Sequence, residues 1–342
     1  MESASLTHGG DRSMLERSRL ARLPDRLLRY GLTALAASIL ALIVYFFVRL
    51  VGEASPAFAK FGVLGFTFDN EWNVSANHFG ALPLVLGTLI TSALALAMGV
   101  PVAVATALYI TELCPQRIRN PMTVLIELLA AVPSVVYGLW GIFFLAPKLQ
   151  PAEQWVADRL SFVPFVGGGL VTIPNYFIAG LILAIMILPI VSSIAREVMS
   201  TVPSDHKEAA LGLGATRWEM IRTAVLPYCR TGITGAAMLG LGRAIGETIA
   251  VTIVIGNAPQ LGSHLFGQGY SLAAVIANEF GEAQELHRSA LFAAGLVLFV
   301  LTLLVNVIAR LLVRRAARSE GQRRTARDYT DTNTPIGAAL GS

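Results

Sequence analysis

The chain has 342 residues, of which 54% are hydrophobic and only 14% are charged, and its mean hydropathy is +0.63. Soluble domains carry roughly a quarter charged residues, so this composition excludes an ordinary soluble protein and indicates a lipid environment. The two cysteines stand far apart in the sequence, and neither has a second cysteine or a histidine at metal-ligand spacing. We therefore predict no disulfide and no metal site.

Six segments are long and apolar enough to cross a bilayer as helices, which requires about 20 residues whose backbone polar groups are satisfied internally. They span approximately residues 27–51, 82–110, 123–146, 176–195, 232–255 and 289–313. The predicted fold class is an all-α integral membrane protein with about six transmembrane helices. The first segment is too long for a signal-peptide core and is expected to remain as an anchor.

The basic residues predict the orientation. Most of the 26 Lys and Arg residues lie before the first segment, in the loops after the second and fourth segments, and after the last segment. By the positive-inside rule these parts are cytoplasmic, so both termini are cytoplasmic. Basic ends also occur in proteins that bind nucleic acid, but beside six apolar segments we interpret them as a topology signal and a contact for anionic membrane lipid.

These observations predict three regions. Residues 1–26 form a basic cytoplasmic segment, and residues 27–315 form the transmembrane domain. Residues 316–342 form a polar cytoplasmic tail that is expected to be disordered.

The longest cytoplasmic connection, about 196–230, contains a short predicted helix. Ser204 or Asp205 can cap its start, and Gly214 is expected to end it. The run Glu208-Ala209-Ala210 lies between these limits and gives the helix a small apolar face. An exposed helix with such a face suits docking into the groove of a partner protein.

Two charged residues, Arg243 and Glu247, lie near the middle of segment 232–255. A charge at the centre of a membrane helix costs roughly 2.5–3.5 kcal/mol on insertion scales. Their spacing places them on one helix face, so one interpretation is a mutual ion pair that holds the structure together. We favour another, in which Arg243 faces a translocation path for an anion, Glu247 holds it in place, and Thr248 and Thr252 supply hydrogen-bond donors nearby.

Gly242 and Gly246 form a Gly-x-x-x-Gly pair in the same segment. Small residues at this spacing allow close helix approach, so the segment is expected to pack tightly against another helix, including one across a dimer interface. Glu127, in the third segment, is expected to pair with a basic residue of a loop.

The long loop resembles the Glu-Ala-Ala loop of ABC-importer permeases. The matching positions are Glu208, Ala209, Ala210, Gly214, Leu226 and Pro227. Ala224 departs from the pattern, which has Ile there. The resemblance implies that this loop is the coupling helix seated in a groove of a separate ATPase subunit.

Three further segments resemble PstC-type permeases of phosphate-specific ABC importers. They are 79–92, 132–141 and 240–257, the last with the run Gly-Arg-Ala-Ile-Gly-Glu-Thr, and the likeness covers roughly residues 27–315. The resemblance implies the type I, MetI-like permease fold in the bacterial inner membrane. It also implies a PstA-like second permease, a PstB-like ATPase dimer and an extracytoplasmic PstS-like phosphate-binding protein. In that family the residues at the positions of Arg243 and Glu247 are implicated in phosphate passage.

The expected function is translocation of inorganic phosphate by alternating access. The sequence contains no Gly-x-x-x-x-Gly-Lys-Ser/Thr phosphate loop, so we expect no catalytic residue and no cofactor in this chain, and ATP is used by the partner ATPase. The five histidines lie in tails or loops without a paired nucleophile, which does not favour an enzyme. Two alternatives remain open: an ABC permease for another oxyanion, such as molybdate or sulfate, and a stand-alone secondary transporter or channel.

Overall fold

A computed structural model describes residues 23–332 except Gly168 and Ser263, with side chains described from residue 27 to residue 311. Most of the predicted basic segment 1–26, and residues 333–342 of the predicted tail, lie outside the described residues. The last helix continues to Thr332, and disorder of the tail stays a prediction. The stretch 316–332 contains four Arg and three Ala, which favour helix, and it extends an existing helix without a new nucleus.

The described part of the chain is helical apart from one short hairpin and its connections. The helices are α1 (Leu23–Phe61), α2 (Val63–Phe68), α3 (Leu82–Leu108), α4 (Gln116–Ala131), α5 (Ser134–Trp140), α6 (Ala146–Arg159), α7 (Tyr176–Ser200), α8 (Ser204–Gly212), α9 (Arg217–Met220), α10 (Leu226–Gly246), α11 (Ile249–Val254), α12 (Leu272–Glu279) and α13 (Glu285–Thr332). Strands β1 (Trp72–Asn73) and β2 (His78–Phe79) pair antiparallel between α2 and α3. Wider π-helical turns occupy Tyr109–Leu113, Gly141–Leu145 and Ile221–Val225.

Four helices of the described part are long and apolar enough to cross a membrane: Leu27–Phe61, Leu82–Leu113, Tyr176–Ser200 and Glu285–Leu311. A fifth candidate is the pair formed by Gln116–Ala131 and Ser134–Arg159, which bends by 90°. Pro133 explains this bend, because proline lacks an N–H donor and disfavours helix at the residue before it. The predicted segment 123–146 is therefore an interrupted helix.

The predicted segment 232–255 is also interrupted. It corresponds to the end of α10 and to α11, and the backbone leaves the helical conformation at Glu247, where ψ is 128°. All six predicted segments thus lie in helical parts of the chain, but two of them are not continuous helices.

The chain divides into two compact units at Glu53 and Ala54. In the first unit, the described residues belong to α1, and none of the residues in its most apolar window is buried. Arg49 and Glu53 form an exposed ion pair at 3.2 Å within this unit. A continuous exposed apolar surface of this kind fits a helix that faces lipid or another membrane protein.

The core of the second unit forms where α7 packs between α3 and α10. A Cβ atom on Gly180 of α7 would lie 2.6 Å from Cβ of Leu94 in α3, so only glycine permits this approach. A Cβ atom on Gly240 of α10 would lie 2.8 Å from a methyl group of Val191 in α7. The side chains between these contacts are buried aliphatic groups, including Ile182 of α7, and dispersion among them holds the three helices together.

The end of α3 that begins at Leu82 lies beside the strand hairpin, and we call it the hairpin end. Three side chains at this end contact the carboxylate of Glu279 in α12. The carboxylate accepts hydrogen bonds from the indole N–H of Trp72 at 3.0 Å and from the Tyr270 hydroxyl at 3.2 Å. It also lies 2.9 Å from Nε2 of His287, whose ring stacks on Phe79. These contacts fix the hairpin to α12 and α13.

The opposite end of α3 lies beside α8, and we call it the α8 end. Gly214 ends α8 as predicted, with a left-handed φ of 86° that glycine adopts without strain. The Gly214 N–H donates to the carbonyl of Leu211 at 3.0 Å, and the Ala215 N–H donates to that of Ala210 at 3.2 Å. This pair of bonds is the Schellman arrangement, which satisfies carbonyls left without partners at a helix C-terminus.

The start of α8 differs from the prediction, because neither Ser204 nor Asp205 caps it. The capping position is held by Pro203, and Ser204 is already the first helical residue, with its hydroxyl 3.3 Å from the Asp205 carboxylate. Side-chain capping appears at the next helix instead, where Thr216 and Glu219 form a reciprocal capping box. The two hydrogen bonds from Thr216 lower the pKa of the Glu219 carboxyl.

Candidate functional site

The interruption between α10 and α11 is stabilised by its own side chains. Oε1 of Glu247 accepts a hydrogen bond from the backbone N–H of Ala250 at 3.3 Å, which satisfies a donor at the start of α11. The Thr248 hydroxyl donates to the carbonyl of Gly246 at 3.3 Å, which satisfies an acceptor at the end of α10. Because both exposed helix ends find partners, the break is a defined structure.

Arg243 lies in the last turn of α10 and is exposed. It is three residues, or about 4.5 Å along the axis, beyond Gly240, which packs on Val191 near the middle of α7. Arg243 is therefore near mid-height of the helix bundle. Within the described residues, its guanidinium makes no ion pair or hydrogen bond.

The interpretation of Arg243 and Glu247 as a mutual ion pair is wrong for this conformation. The i to i+4 relationship requires a continuous helix, and α10 ends at Gly246 between the two residues. Glu247 is half-buried and turns toward the start of α11, whereas Arg243 remains exposed on α10. The two charges are thus presented by different segments.

The two threonines lie beside the break but are not available as donors in this conformation. Thr252 donates to the carbonyl of Thr248 at 2.8 Å, and Thr248 donates to that of Gly246. Their hydroxyl oxygens keep lone pairs that accept hydrogen bonds. Asn257 also contributes, because its side-chain amide donates to the Thr252 carbonyl at 2.8 Å. The predicted donor role of the threonines therefore requires another conformation.

Tyr137 belongs to this region, and the sequence analysis did not single it out. Its hydroxyl donates to the carbonyl of Leu129 at 2.7 Å, across the bend between α4 and α5, and it lies close enough to Arg243 for that charge to act on it. The next residue, Gly138, packs against Ala250 of α11. In the sequence, Tyr137 follows a helix-interrupting proline within an apolar segment, and this pattern could have identified it.

Two interrupted helices therefore meet beside an exposed guanidinium. Backbone outside a helix is tolerated at membrane depth only where protein buries it or where it lines an aqueous cavity. Guanidinium carries a permanent positive charge and five donors in a fork that matches oxyanions. The arrangement around Arg243 is chemically suited to contact a passing anion, with the Glu247 carboxylate nearby as a counter-charge.

The predicted coupling loop has an anchored side and an open side. Ala210 and Leu226 are half-buried against an apolar cluster that includes Ala107 of α3 and Met199 of α7. The open side comprises Glu208, Ala209, Gly214, Leu213 and Trp218, and the exposed fractions of the last two are 90% and 63%. Pro227 lies in the first turn of α10, where proline is favoured. The loop thus presents an unburied apolar and acidic surface.

The predicted packing residues Gly242 and Gly246 show no close approach to another helix within the described residues. A Cβ atom on either would meet no atom within 4 Å, and α10 packs on α7 through Gly232 and Gly240 instead. Gly242 lines an open groove of about 570 Å³ between α10 and α13. Helix packing by Gly242 and Gly246 against a second subunit stays a prediction.

Within the described part of the chain, no three His, Cys, Asp or Glu side chains lie together as metal ligands would.

Comparison with known proteins agrees with this architecture. The family model for binding-protein-dependent transport system inner membrane components matches residues 99–318. A crystal structure of a bacterial ABC transporter involved in the import of the acidic polysaccharide alginate aligns with a TM-score of 0.55, covering 86% of this chain and 99% of that chain. At 20% identity, this likeness concerns the fold alone.

Individual relatives identify a narrower family than the family model does. The phosphate transport system permease protein PstC of Pasteurella multocida is 45% identical over 279 residues, which cover 80% of this chain and 87% of that protein. That of Mesorhizobium japonicum is 45% identical over 295 residues, covering 83% and 88%. The PstC 2 protein of Mycobacterium tuberculosis is 41% identical over 305 residues, covering 85% and 92%.

The fold and the family match define a multi-pass inner membrane permease component of an ABC transporter. More narrowly, the chain belongs to the PstC family of phosphate transport system permease proteins.

Proposed function

We propose that this chain is the permease subunit that carries inorganic phosphate across the inner membrane in an ATP-driven importer. The observation that carries the proposal is the exposed Arg243 guanidinium, which makes no ion pair within the described residues and lies at a helix break near mid-height of the bundle. An anion entering a low-dielectric region needs compensating positive charge and hydrogen-bond donors. The phosphate cargo is supported by relatives named phosphate permeases at 41–45% identity.

In this proposal the α8 end is cytoplasmic, as are both termini, and the hairpin end is extracytoplasmic. A phosphate-binding protein docks on the loops 52–79, 147–175 and 257–287. Closure of an ATPase dimer moves α8, rocks the helices and opens the path outward to receive phosphate. ATP hydrolysis then returns the permease to the inward-facing state. ATP is bound by the partner ATPase, and this chain supplies the path.

We propose three protein partners for this chain. The open side of α8, with Glu208 and Leu213 exposed, suits docking of a PstB-like ATPase. The open glycine face of α10 and the groove beside it suit a helix of a PstA-like second permease. The hairpin end suits a PstS-like binding protein. Membrane lipid covers the remaining apolar surface, and no nucleic-acid partner is proposed.

Uptake by the purified complex tests the proposal. The chain is reconstituted in proteoliposomes with its second permease, ATPase and binding protein, and radiolabelled phosphate uptake is measured with and without ATP. We expect ATP-dependent uptake that excess unlabelled phosphate suppresses and excess sulfate or molybdate does not. Competition by sulfate or molybdate at equal concentration would favour the oxyanion alternative. Uptake by the chain alone, without any ATPase, would favour the secondary transporter.

Reversal of the Glu208 charge tests the docking surface. Glu208 is exposed at the open side of α8, so Glu208→Lys is expected to leave the chain folded but to reduce copurification of the ATPase about tenfold, the effect of roughly 1.4 kcal/mol in binding. Glu197→Lys is the matched control, because Glu197 is an exposed carboxylate in the last turns of α7. Equal copurification for both variants would place the ATPase elsewhere.

A further inference from the structure

An ion pair joins α8 to the end of α3. Nζ of Lys207 in α8 lies 2.7 Å from Oε1 of Glu112, which belongs to the π-helical turn at the end of α3. The Glu112 side chain is 7% exposed and that of Lys207 is 22% exposed.

The surroundings of this pair make it stronger than an ordinary surface contact. It lies near the Cys229 thiol, on which both charges act, and Cys229 belongs to the apolar cluster that also contains Ala107 and Ile221. Low dielectric strengthens the attraction between opposite charges, and a nearly buried carboxylate that loses its cation is strongly disfavoured. Movement of α8 away from α3 is therefore opposed unless the end of α3 moves with it.

Helix α3 extends from the α8 end to the hairpin end. α3 has 27 residues, about 40 Å at 1.5 Å per residue, and its first turns contact the loop before α12. The backbone N–H of Leu272 donates to the Thr88 hydroxyl at 3.0 Å. A Cβ atom on Gly87 would lie 2.0 Å from the carbonyl oxygen of Tyr270, so this loop rests directly on the helix.

We propose that Glu112 and Lys207 are positioning residues that transmit movement of α8 to α3 and through it to the loop at the hairpin end. The inference rests on the proposed function, because it assigns α8 to the ATPase and the hairpin end to the binding protein. The pair makes the coupling helix and α3 move together. Contact between Ala210 and the apolar cluster holds α8 in place but is non-directional, so it does not replace the pair.

Stimulation of ATP hydrolysis by the binding protein measures this transmission. The complex is reconstituted with Glu112→Gln, with Lys207→Gln, and with the exchange Glu112→Lys plus Lys207→Glu. Each single variant is expected to copurify with the ATPase and to keep basal hydrolysis. The ratio of stimulated to basal hydrolysis should fall about tenfold, within the range of roughly 5–150-fold typical of coupling between sites. The exchange variant should recover a large part of the ratio.

A matched control exists in the same region. Arg196 of α7 and Glu127 of α4 form an ion pair at 3.3 Å that does not involve α8, and their side chains are more exposed. Glu127→Gln removes the same kind of contact at the same end of the protein. Its stimulation ratio is expected to stay within about twofold of the wild type, as for an exposed ion pair of small energy.

Three results would overturn the inference. The first is an unchanged stimulation ratio in both single variants, and the second is failure of the exchange variant to recover any of the loss. The third is loss of ATPase copurification in the single variants, which would make the pair a part of the docking surface. The wild-type complex tests the proposed function separately, because absence of binding-protein stimulation there would reject that function whatever the variants do.

Discussion

Arg243 and Glu247 are four residues apart, yet their side chains do not pair in the described structure, because α10 ends at Gly246 between them. Because of the break between α10 and α11, the two charged side chains have different surroundings. Glu247 accepts a hydrogen bond from the first turn of α11, and Arg243 remains exposed on α10. A guanidinium left without a partner at mid-height needs water or an anion to compensate its charge, and this requirement is the physical basis of the phosphate proposal.

Neutralising Arg243 should therefore reduce transport without disturbing the fold. In Arg243→Gln, we expect normal insertion and ATPase copurification but a fall in ATP-dependent phosphate uptake of at least about tenfold, or roughly 1.4 kcal/mol in the barrier. Arg243→Lys should retain part of the activity, because it keeps the charge and loses the forked donors. Arg49→Gln, which removes an exposed arginine of α1, is the control. Uptake by Arg243→Gln at the wild-type rate would contradict the assigned role.

Much of this site was predictable from the sequence, because charged residues are rare in apolar segments. Arg243 and Glu247 stand out for that reason, and the end of α8 at Gly214 follows from the chemistry of helix C-termini. Glu127 pairs with a basic residue as expected, but that residue, Arg196, lies in α7 and not in a loop. The helical fold follows from the lengths of the six apolar segments.

The breaks in two of those segments were not predicted. Hydropathy reports whether a residue tolerates lipid, but it does not report local backbone conformation. Pro133 is a visible signal for the first break, because proline interrupts a helix. The second break has no comparable signal, because Glu247 and Thr248 satisfy the helix ends with side-chain bonds that other conformations also permit. The alternative interpretation, a mutual ion pair, requires the continuous helix that this break removes.

Substitutions at two glycines of α10 are expected to distinguish folding of this chain from its assembly with a second permease. Gly240 faces Val191 closely, so Gly240→Leu is expected to disrupt packing of α10 on α7 and to lower the yield of folded chain. Gly242 faces open space, so Gly242→Leu is expected to fold normally but to reduce copurification of the second permease. Yield of monodisperse chain and copurification, measured for both variants, check this contrast. A second permease that copurifies fully with Gly242→Leu would exclude this face as the interface.

Glu279 is expected to stabilise the hairpin end. Its carboxylate accepts from Trp72 and Tyr270 and contacts His287, and burial raises the pKa of the Tyr270 phenol, which keeps it protonated as a donor. Glu279→Ala leaves these groups without their acceptor and should destabilise the protein by about 2–4 kcal/mol. Thermal unfolding in detergent measures the effect, and Glu282→Ala, which removes an exposed carboxylate, is the control. Equal unfolding temperatures for the two variants would contradict this role.

The pair Asp69 and His78 should make the hairpin sensitive to acid. Partial burial acts to raise the pKa of Asp69, but hydrogen bonds from His78 and from the Glu71 N–H outweigh it, and the pKa lies below the ordinary value of 3.8. The folded state thus binds fewer protons than the unfolded state near that pH. The stabilisation is complete above pH 3.8 and is lost as the pH falls through the lowered pKa.

Hydrogen exchange in residues 69–80, corrected for intrinsic rates, measures this acid sensitivity. Protection should be full at about pH 5 and should fall below about pH 4, where Asp69 of the unfolded state begins to bind its proton. The loss is expected to stay below about 1 kcal/mol, because both side chains are more than a third exposed and solvent screens the pair. Asp69→Asn should start from lower protection and show no further loss in acid, whereas Asp158→Asn should behave as the wild type. An acid-dependent loss that persists in Asp69→Asn would assign the effect to another group.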